Sequence, residues 1–450
     1  MFEKVLIANR GEVALRVMRA CKELGVKTVA VYSEADTDTY PVAYADEKVC
    51  IGPAQASRSY LNMDNIISAA LNTKAQAIHP GYGFLAENAD FAEKVIENGL
   101  VWIGPSPESI RLMGDKARAK ETMHACGVPI IMGSKGIVES TVAAVNYASN
   151  IGYPVLIKAS AGGGGKGMRE VWSQNEMEAQ FTAARAEAEA AFGCADVYIE
   201  KLVPHPRHIE VQVLADDFGN RIALPERDCS VQRRHQKLIE ESPSTVVSSG
   251  IRKQLAMAAL RAVRAVDYRN AGTIEFLLDE TGRFYFMEMN TRVQVEHPVS
   301  EEVSGIDIIK EQLRIAAGEP ISCLKRDLSE AQGHAIEFRI NAEDPDNGFR
   351  PCPGKITAYR VAAGPGVRVE SYVGVGSVIT PYYDSMVAKL IVRGQNREEA
   401  LARASRALDE FVIEGIKTTI PFHKAVLANE TFRAGQVTTD FIETQMGEKK

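Results

Sequence analysis

Apolar and polar positions near the start of the chain follow a βαβ pattern. Short apolar runs at residues 4–8 and 26–32 predict buried parallel strands, and the amphipathic stretch 12–24 predicts a helix between them. Further strand-like runs, with helical stretches between them, lie at residues 48–51, 75–78 and 101–103. We therefore predict a small doubly wound α/β sheet ending near residue 110. The first loop has Gly11 alone in place of Gly-x-Gly-x-x-Gly, so the sheet is Rossmann-like without the dinucleotide fingerprint.

The most informative stretch of the chain starts apolar at residue 283 and turns polar toward residue 298. Residues 283–287 include Phe-Tyr-Phe and have the aromatic content of a buried strand. If the segment stays extended, alternate side chains share one face. We therefore predict a core strand with five polar groups along one wall: Glu288, Asn290, Arg292, Gln294 and Glu296.

A neighbouring strand at residues 273–278 brings a second carboxylate to this wall. If Leu278 pairs with Arg283 across the turn, Glu275 and Glu288 are diagonal neighbours, about 7–8 Å apart. Two close carboxylates are destabilising unless a proton or a cation separates them, and with Asn290 they suit Mg²⁺. The alternative is a slipped register with one glutamate on a solvated edge.

A glycine-rich stretch lies between two further predicted strands, at 153–158 and 168–172. Consecutive glycines at 162–165 let backbone N–H groups converge on an anion, and Lys158 and Lys166 stand beside them. The spacing is not that of a Walker A loop, because residue 160 is Ser and residue 167 is Gly. A flap over ATP fits the strand, loop, strand order. A flexible linker is the alternative.

Four other segments offer ligand contacts, most with a plainer alternative. The loop 79–88 could present Tyr82 to a ligand or be a packed turn. Lys116, at the start of a predicted helix, could reach a phosphate or be a surface lysine. The strand 197–203 could bind an adenine through its backbone. Four of the ten residues in 228–237 are Arg, Lys or His, which favours anion binding over a solvated face.

Composition narrows the class of protein. A chain of 450 residues, 45% hydrophobic and 25% charged, predicts a globular protein of two or three domains. The net charge of −7 gives no general attraction to nucleic acid or to an anionic membrane. The N-terminal apolar run is too short for a signal peptide and no stretch is long enough for a membrane helix, so we expect a cytoplasmic protein. The seven scattered cysteines predict reduced thiols, with Cys229 structural rather than nucleophilic.

Taken together, these motifs resemble an ATP-grasp enzyme, and more narrowly the biotin carboxylase family as found in bacterial acetyl-CoA carboxylase. The motifs that carry the resemblance follow the family order over nearly the whole chain, at residues 7–12, 79–88, 158–168, 226–237, 288–298, 338–345 and 381–386. The resemblance implies a mixed α/β and α+β fold in four parts. These are a Rossmann-like N-terminal domain (1–114), an ATP-grasp region (115–203) with a lid at about 131–203, an ATP-grasp core (204–330) and a biotin carboxylase C-terminal domain (331–450).

The resemblance also implies roles for residues of this chain. ATP would be bound by Lys116, Lys158, Gly163, Gly164, Gly165, Gly167, Glu200, Lys201, Val203, His208, Gln232, His235, Glu275 and Glu288. Mg²⁺ or Mn²⁺ would be bound by Glu275, Glu288 and Asn290. Bicarbonate would be held by Lys237, Arg292, Gln294 and the backbone of Val295, with Glu296 as the base. Arg339 would steady the biotin enolate and Tyr82 would lie near the biotin ring, so the catalytic residues would be Glu296, Arg292, Lys237 and Arg339.

The implied activity is the ATP- and bicarbonate-dependent carboxylation of biotin through carboxyphosphate, as the first half-reaction of acetyl-CoA carboxylase in fatty acid synthesis. In the family's mechanism carboxyphosphate yields CO₂ and phosphate, phosphate deprotonates biotin, and the enolate attacks CO₂. The chain has no Ala-Met-Lys-Met motif, so we expect the biotin on a separate biotin carboxyl carrier protein, with carboxyltransferase subunits as further partners. The family implies a homodimer with the first helix, including Arg16, Arg19 and Glu23, in its interface; a surface helix is the alternative.

The chain departs from the family pattern at two positions, and three other functions stay open. Ala161 replaces the first of five glycines and could stiffen the flap, and Ala86 replaces a serine. The alternatives are the carboxylase subunit of a two-chain pyruvate or other acyl-CoA carboxylase, another ATP-grasp ligase, and a non-catalytic ATP-binding regulator. A non-catalytic regulator predicts the loss of at least one of six site residues. The chain retains all six: Lys237, Glu275, Glu288, Arg292, Glu296 and Arg339.

Overall fold

The N-terminal part of the chain forms the predicted parallel sheet. The computed structural model describes residues 1–134, 136–160, 168–324 and 330–447, apart from the side chain of Phe192. Five parallel strands in the order β3-β2-β1-β4-β5 comprise β1 (Lys4–Ile7), β2 (Lys27–Ser33), β3 (Glu47–Gly52), β4 (Ala77–His79) and β5 (Val101–Trp102). The helices between and after them are α1 (Gly11–Glu23), α2 (Tyr40–Tyr44), α3 (Met63–Asn72), α4 (Ala89–Glu97) and α5 (Pro107–Gly114). The doubly wound α/β prediction is confirmed.

Helices cover both faces of this sheet, and for this reason its central strand is a continuous apolar run. Val5 and Ile7 belong to the hydrophobic cluster that includes α1, whereas Leu6 belongs to the cluster on the opposite face with Ile66 and Phe91. Helix α1 has ten buried residues of its thirteen, and Arg16 is only 6% exposed. Most of α1 therefore packs inside the chain, whereas its last residue, Glu23, is exposed.

A small antiparallel sheet follows, with two helices packed on it. Its strands lie in the order β7-β6-β8, and the elements of this region are α6 (Lys116–Ala125), α7 (Thr141–Ile151), β6 (Val155–Ala159), β7 (Met168–Val171), α8 (Met177–Phe192) and β8 (Val197–Lys201). Strands β6 and β7 pair directly, with Lys158 opposite Met168, which confirms the strands predicted on either side of the glycine stretch. The predicted phosphate-binding Gly163, Gly164, Gly165 and Gly167 lie outside the described residues.

The largest sheet joins the middle of the chain to its C-terminal part. Its first portion contains β9 (Arg207–Ala215), β10 (Arg221–Ala223), β11 (Arg227–Arg233), β12 (Gln236–Ser242), β13 (Asn270–Leu278) and β14 (Phe284–Asn290). The helices of this portion are α9 (Ser249–Ala265), α10 (His297–Ser304) and α11 (Ile308–Ala316). Strand β12 then pairs antiparallel with β15 (His334–Asn341), so one sheet crosses the boundary predicted at residues 330 and 331.

The C-terminal part is the predicted α+β region. Its strands after β15 are β16 (Glu343–Asp344), β17 (Arg350–Pro351), β18 (Gly354–Lys355), β19 (Ala358–Arg360), β20 (Val367–Ser371), β21 (Val378–Ile379), β22 (Met386–Gly394) and β23 (Val412–Glu414). Its helices are α12 (Arg397–Glu410), α13 (Ile420–Ala428), α14 (Glu430–Arg433) and α15 (Phe441–Gln445). The large sheet runs in the order β14-β13-β9-β11-β12-β15-β22-β20, with β10 paired to β9. An apolar cluster from β15, β22 and α12 fills the core here.

Two predictions about the central polar segment are wrong. Leu278 pairs with Phe284, and a bulge at Met287 then places Glu275 directly opposite Glu288, not diagonal to it. The strand also ends at Asn290, because the chain turns into α10, which carries a proline in its first turn. Glu296 is the residue before this helix, so the five polar groups do not follow one extended strand.

The cysteines match the prediction of reduced thiols, because all seven are free and Cys229 is buried. Among the helices of the described ranges, none combines the length and the apolar character that crossing a membrane requires.

Candidate active site

Three glutamates form a row across three adjacent strands of the large sheet. Glu210 on β9 lies directly opposite Glu275 on β13, and Glu275 lies directly opposite Glu288 on β14. Residues directly opposed in antiparallel strands point to the same face, so the three carboxylates share one surface. Glu210 and Glu275 are buried, whereas the side chain of Glu288 is 40% exposed. The row therefore runs from the protein interior to an open edge.

Two buried cations compensate the inner carboxylates. Lys237 Nζ donates hydrogen bonds to Glu210 at 2.6 Å, to Glu275 at 2.8 Å and to Glu296 at 2.6 Å. Arg227 contributes its Nε to Glu210 and its Nη2 to Gln294 Oε1 at 2.9 Å. Burial lowers the pKa of Lys237, but the three carboxylates around it outweigh burial and hold that pKa well above its usual range. Lys237 is therefore a permanent positive charge in a polar pocket.

Glu296 lies between Lys237 and Arg339. Its Oε1 accepts from Lys237, and its Oε2 accepts from Arg339 Nη2 at 3.0 Å. Burial raises the pKa of Glu296, yet the charges of Lys237 and Arg339 outweigh it and hold the pKa well below its usual range. The carboxylate is therefore ionised at neutral pH. An anionic ligand that engages Lys237 withdraws positive charge from Glu296 and strengthens it as a base.

The exposed end of the glutamate row has the donor set for a divalent cation. Burial and the neighbouring charge of Glu275 raise the pKa of Glu288. No residue of the described ranges donates a hydrogen bond to Glu288, and Lys116 Nζ lies 4.0 Å from its Oε2. Lys237 already pairs with Glu275, whereas Glu288 has no cation closer than Lys116 among the described residues. A carboxylate with so little compensating charge, opposite a second carboxylate, fits Mg²⁺ or Mn²⁺, which bind oxygen ligands. Asn290 donates its Nδ2 to Glu275 at 2.8 Å, and its Oδ1 accepts from Arg292 at 3.0 Å.

Arg292 is positioned by a residue that the sequence analysis did not select. Its Nε donates to Glu87 Oε2 at 2.9 Å, and Glu87 also accepts from the backbone N–H of Thr291 at 3.1 Å. Glu87 belongs to the loop 79–88, which the sequence analysis examined for Tyr82 alone. The loop therefore contributes a charged partner to this wall as well as an aromatic ring.

Tyr82 is fixed by two N-terminal residues. Its hydroxyl donates to Glu12, and its backbone carbonyl accepts from Asn9 Nδ2 at 2.7 Å. Gly81 has φ +64°, and a Cβ there would lie 2.8 Å from Asn9 Nδ2, so only glycine fits without displacing Asn9. Burial and the charge of Glu12 raise the pKa of Tyr82 well above its usual range, which keeps the phenol protonated.

The buried Lys389 links Glu12, the partner of Tyr82, to the polar segment that ends at Glu296. Its Nζ donates to the backbone carbonyl of Val295 at 2.9 Å and lies 3.2 Å from Glu12 Oε1. Lys389 was not predicted as a site residue, because in the sequence it is an isolated charge between apolar residues of the C-terminal part.

The predicted nucleotide-binding residues lie around the small sheet and its junction with the large one. Glu200 bridges Lys120 and Lys158, the latter at 2.6 Å from its Oε2. Burial raises the pKa of Glu200, but Lys158 and Lys120 outweigh it and lower that pKa. Lys201 Nζ donates at 2.9 Å to the backbone carbonyls of Gly152 and Tyr153. Lys120 is an addition to the predicted set.

The other predicted nucleotide contacts occupy separate positions. Val203 lies just beyond the end of β8, which stops at Lys201. His208 Nε2 lies 3.0 Å from Glu275 Oε2, and Gln232 is buried on β11. His235 stands in the turn between β11 and β12 with φ +65°. Lys116 is 76% exposed and faces Glu288.

Comparison with known proteins identifies the family. The chain matches "Biotin carboxylase, N-terminal domain" over residues 1–110, "Carbamoyl-phosphate synthase L chain, ATP binding domain" over residues 115–324 and "Biotin carboxylase C-terminal domain" over residues 337–444. It is 56% identical to the biotin carboxylase of Nostoc sp., covering 98% of this chain and 99% of that protein. The chain belongs to the biotin carboxylase family. Biotin carboxylases are ATP-dependent ligases, so the predicted family and enzyme class are confirmed.

Two further biotin carboxylase relatives act within different carboxylases. A pyruvate carboxylase subunit of Methanothermobacter thermautotrophicus is 52% identical, covering 98% of this chain and 90% of that protein. The biotin carboxylase domain dimer of the Hydrogenobacter thermophilus 2-oxoglutarate carboxylase was solved with MgADP, ADP and bicarbonate. It superposes with a TM-score of 0.89 at 49% identity, covering 98% of this chain and 97% of that chain.

The structure brings most of the predicted site residues of this biotin carboxylase together. Lys237, Glu275, Gln294, Glu296 and Arg339 form one hydrogen-bonded cluster. Glu288, Asn290 and Arg292 border it. The sequence analysis missed five charged residues that pair with this set: Arg227, Glu210, Glu240, Lys389 and Glu87. As a whole, the arrangement has cations for an anion, carboxylates for a metal ion and an ionised base between them.

Behind Arg339, this biotin carboxylase buries a pair of directly opposed glutamates. Glu240 on β12 faces Glu337 on β15, and both are fully buried. Burial raises the pKa of Glu337 well above its usual range; Lys389 and Arg339 oppose this shift, and Glu240 and Glu296 add to it. Both oxygens of Glu337 lack a hydrogen-bond partner among the described residues. Because its pKa is raised and neither oxygen is paired within the described residues, we expect Glu337 to keep its proton in the folded protein.

Replacing Glu337 with glutamine is expected to stabilise the protein above about pH 5. The folded chain keeps a proton that the unfolded chain releases near its pKa of about 4.3, so wild-type stability falls as the pH rises from there toward the raised pKa. Glutamine resembles the neutral acid and removes this loss of about 1.4 kcal/mol per pH unit. Urea unfolding of both proteins between pH 5 and 8 measures the difference.

Glu241→Gln is the matched control, with the opposite sign. Burial raises the pKa of Glu241, but His334 and Arg397 outweigh it and lower the pKa to about 2. Its ionised form therefore stabilises the fold above the unfolded pKa, and this variant should lose stability at neutral pH. A Glu337→Gln protein that is less stable than wild type at pH 8 would show that Glu337 is ionised.

Proposed function

We propose that this chain carboxylates biotin on a separate biotin carboxyl carrier protein, with ATP, Mg²⁺ or Mn²⁺ and bicarbonate, as the first half-reaction of acetyl-CoA carboxylase in fatty acid synthesis. The observation that carries the proposal is the ionised Glu296 between Lys237 and Arg339, beside the Glu275–Glu288 pair. The ligands of the Hydrogenobacter thermophilus relative, MgADP and bicarbonate, support the same substrates here.

In the proposed reaction, the anion pocket prepares bicarbonate for attack. Lys237 and Arg292 hold its oxygens, and Glu296 takes its proton, which makes a poor nucleophile able to attack the γ-phosphate of ATP. Lys116 and Lys158 lie on the side of the nucleotide and balance the charge of its phosphates. Glu275 and Glu288 would hold a divalent cation, which would supply further charge neutralisation at the phosphates. Carboxyphosphate forms and ADP leaves. Carboxyphosphate then breaks down to CO₂ and phosphate, and this phosphate takes the N1′ proton of biotin.

The second step concerns biotin. The guanidinium of Arg339 binds the ureido oxygen and stabilises the enolate that attacks CO₂. Tyr82 would lie near the biotin ring, with its hydroxyl held by Glu12 and its backbone carbonyl held by Asn9. We also propose that ATP is bound by Gly163, Gly164, Gly165 and Gly167. The proposed domain boundaries lie at residues 114, 203 and 330.

The proposed function is tested by measuring ADP release with Mg²⁺ and free biotin, with and without bicarbonate. We expect ATP cleavage that requires bicarbonate and rises with biotin. Reactions that omit one substrate at a time are the control. Cleavage that is indifferent to both bicarbonate and biotin would overturn the proposal and favour another ATP-grasp ligase.

A second candidate is the carboxylase subunit of a pyruvate or other acyl-CoA carboxylase. The 52% identity to the Methanothermobacter thermautotrophicus pyruvate carboxylase subunit favours it, because the half-reaction is the same and only the acceptor differs. An assay with the cognate carrier and carboxyltransferase separates the two candidates. It follows the labelled carboxyl group from carboxybiotin to either acetyl-CoA or pyruvate. Label in malonyl-CoA supports the first candidate, and label in oxaloacetate supports the second.

The proposal includes a homodimer formed through α1. The Hydrogenobacter thermophilus relative is described as a domain dimer. In this chain Arg19 pairs with Glu370 at 3.1 Å and keeps 38% of its side chain exposed, so it is available to a partner. Arg16 is buried and pairs with Asp307 at 2.6 Å.

A further inference from the structure

Arg339 is shared between two carboxylates that differ in their surroundings. Its Nε donates to Glu240 Oε1 at 2.6 Å, and its Nη2 donates to Glu296 Oε2 at 3.0 Å. Glu296 also accepts from Lys237 and borders the proposed bicarbonate pocket. Glu240 is fully buried on β12, behind the guanidinium. The contact with Glu296 therefore faces the proposed substrates, and the contact with Glu240 faces the protein interior.

The backbone at Arg339 is fixed independently of its side chain. Its carbonyl accepts from Thr419 Oγ1 at 2.8 Å and from His423 Nε2 at 2.7 Å. The strand is therefore held from α13 and the residue before it, and the remaining freedom lies in the side chain. If a substrate oxygen takes the Nη2 hydrogen bond that Glu296 now accepts, Arg339 loses its contact with Glu296. The bond from Nε to Glu240 is then the contact that keeps the guanidinium in place.

Glu240 is suited to this task because it is fully buried on β12 and its Oε1 accepts from Arg339 Nε at 2.6 Å. Burial and the charge of Glu296 raise the pKa of Glu240 to about 7, whereas Arg339 and Lys237 lower it, so the contact with Arg339 favours the ionised form of Glu240. The charged groups that face Glu240 are Arg339, Glu296 and Lys237. A charge-assisted hydrogen bond in a buried site is stronger than one at the surface, and breaking it is costly.

We propose that Glu240 is a positioning residue that anchors Arg339 through Nε, so that Nη2 exchanges Glu296 for the ureido oxygen of biotin without displacement of the guanidinium. The inference rests on the proposed function, since it takes biotin as the ligand of Arg339. It adds to that function a buried residue that never contacts the substrate.

The test is a double-mutant cycle between Glu240→Gln and Arg339→Gln, read as kcat/KM for free biotin. Glutamine keeps the shape of Glu240 and removes its charge. We expect Glu240→Gln to raise the KM for biotin about tenfold, which corresponds to about 1.4 kcal/mol, and to leave the KM for ATP within about twofold. If Glu240 acts through Arg339, adding Glu240→Gln to Arg339→Gln costs little more than Arg339→Gln alone.

Glu241→Gln is the matched control, because it removes the neighbouring buried carboxylate on the same strand. Glu241 pairs with His334 and Arg397, outside the proposed site, so its loss should lower stability without raising the KM for biotin. Glu240→Asp, which keeps the charge, should recover part of the KM and serves if the glutamine variant fails to fold.

Three results would overturn the inference: an unchanged KM for biotin in Glu240→Gln, an equal rise in the KM for ATP, or additive losses in the cycle. The wild-type enzyme is assayed first for dependence on bicarbonate and biotin. Absence of that dependence rejects the proposed function, whereas its presence with any of the three results rejects only the role of Glu240.

Discussion

Replacing Glu296 with glutamine is expected to lower kcat for bicarbonate- and biotin-dependent ATP cleavage by about 10²–10⁴-fold, the usual contribution of a general base. Glutamine has nearly the shape of glutamate but cannot take a proton. Lys237 keeps two carboxylate partners in the variant, Glu210 and Glu275, so the buried cluster stays paired and the fold should persist. The loss should therefore appear in the chemical step.

Steady-state kinetics with ATP, bicarbonate and free biotin measure this loss, and the KM for ATP should change little because Glu296 lies on the bicarbonate side of the cluster. Glu302→Gln is the control, since Glu302 lies on the helix that follows Glu296 but pairs with Arg368 at 3.3 Å. That variant should keep its activity within about twofold, as surface substitutions usually do. Activity of Glu296→Gln within tenfold of wild type would require a different base.

The low pKa of Glu296 bears on its expected role as the general base. A base that is ionised over the whole neutral range needs no activation, but it is also a weak base while Lys237 and Arg339 both donate to it. In the proposed reaction, bicarbonate bound to Lys237 would remove part of this stabilisation. Proton transfer is thereby coupled to substrate binding, and ATP cleavage without bicarbonate is disfavoured.

What the sequence predicted well depended on local pattern. The apolar run of β1 predicted a strand of the parallel sheet, because its residues lie next to each other in the chain. Glu275 and Glu288 were paired correctly as neighbours, since a short turn joins their strands. Their register was wrong by two positions. Leu278 pairs with Phe284 in place of Arg283, and the bulge at Met287, which no glycine or proline marks, adds the second position.

What the sequence did not predict depended on contacts between distant strands. Glu210 and Arg227 meet because β9 and β11 pair, and Lys389 reaches Val295 across 94 positions of sequence. Each reads in the sequence as an isolated charge, and isolated charges are usually exposed. Glu240 was missed for the same reason: its neighbours Glu337 and Arg339 come from β15, about a hundred residues later.

Replacing Arg227 is expected to cause the largest loss in the free energy of unfolding. It is fully buried, and its guanidinium donates from all three nitrogens: Nε to Glu210, Nη1 to Gln212 Oε1 at 2.9 Å and to Ser300 Oγ at 3.0 Å, and Nη2 to Thr273 Oγ1 at 3.1 Å and to Gln294 Oε1 at 2.9 Å. Arg227→Met is expected to lower the free energy of unfolding by about 3–5 kcal/mol, because it leaves Glu210 buried with less compensating charge.

Urea unfolding measures this loss, and Arg111→Met is the control. Arg111 pairs with Asp90 at 3.0 Å on an exposed surface, so its removal should cost at most about 1 kcal/mol. Arg227→Lys should fall between the two, because an ammonium keeps the charge but cannot donate to five acceptors at once. If Arg227→Met unfolds at the wild-type midpoint, Lys237 alone compensates Glu210. If it is destabilised as expected, Gln294 also loses its fixed orientation, and the anion pocket should weaken together with the fold.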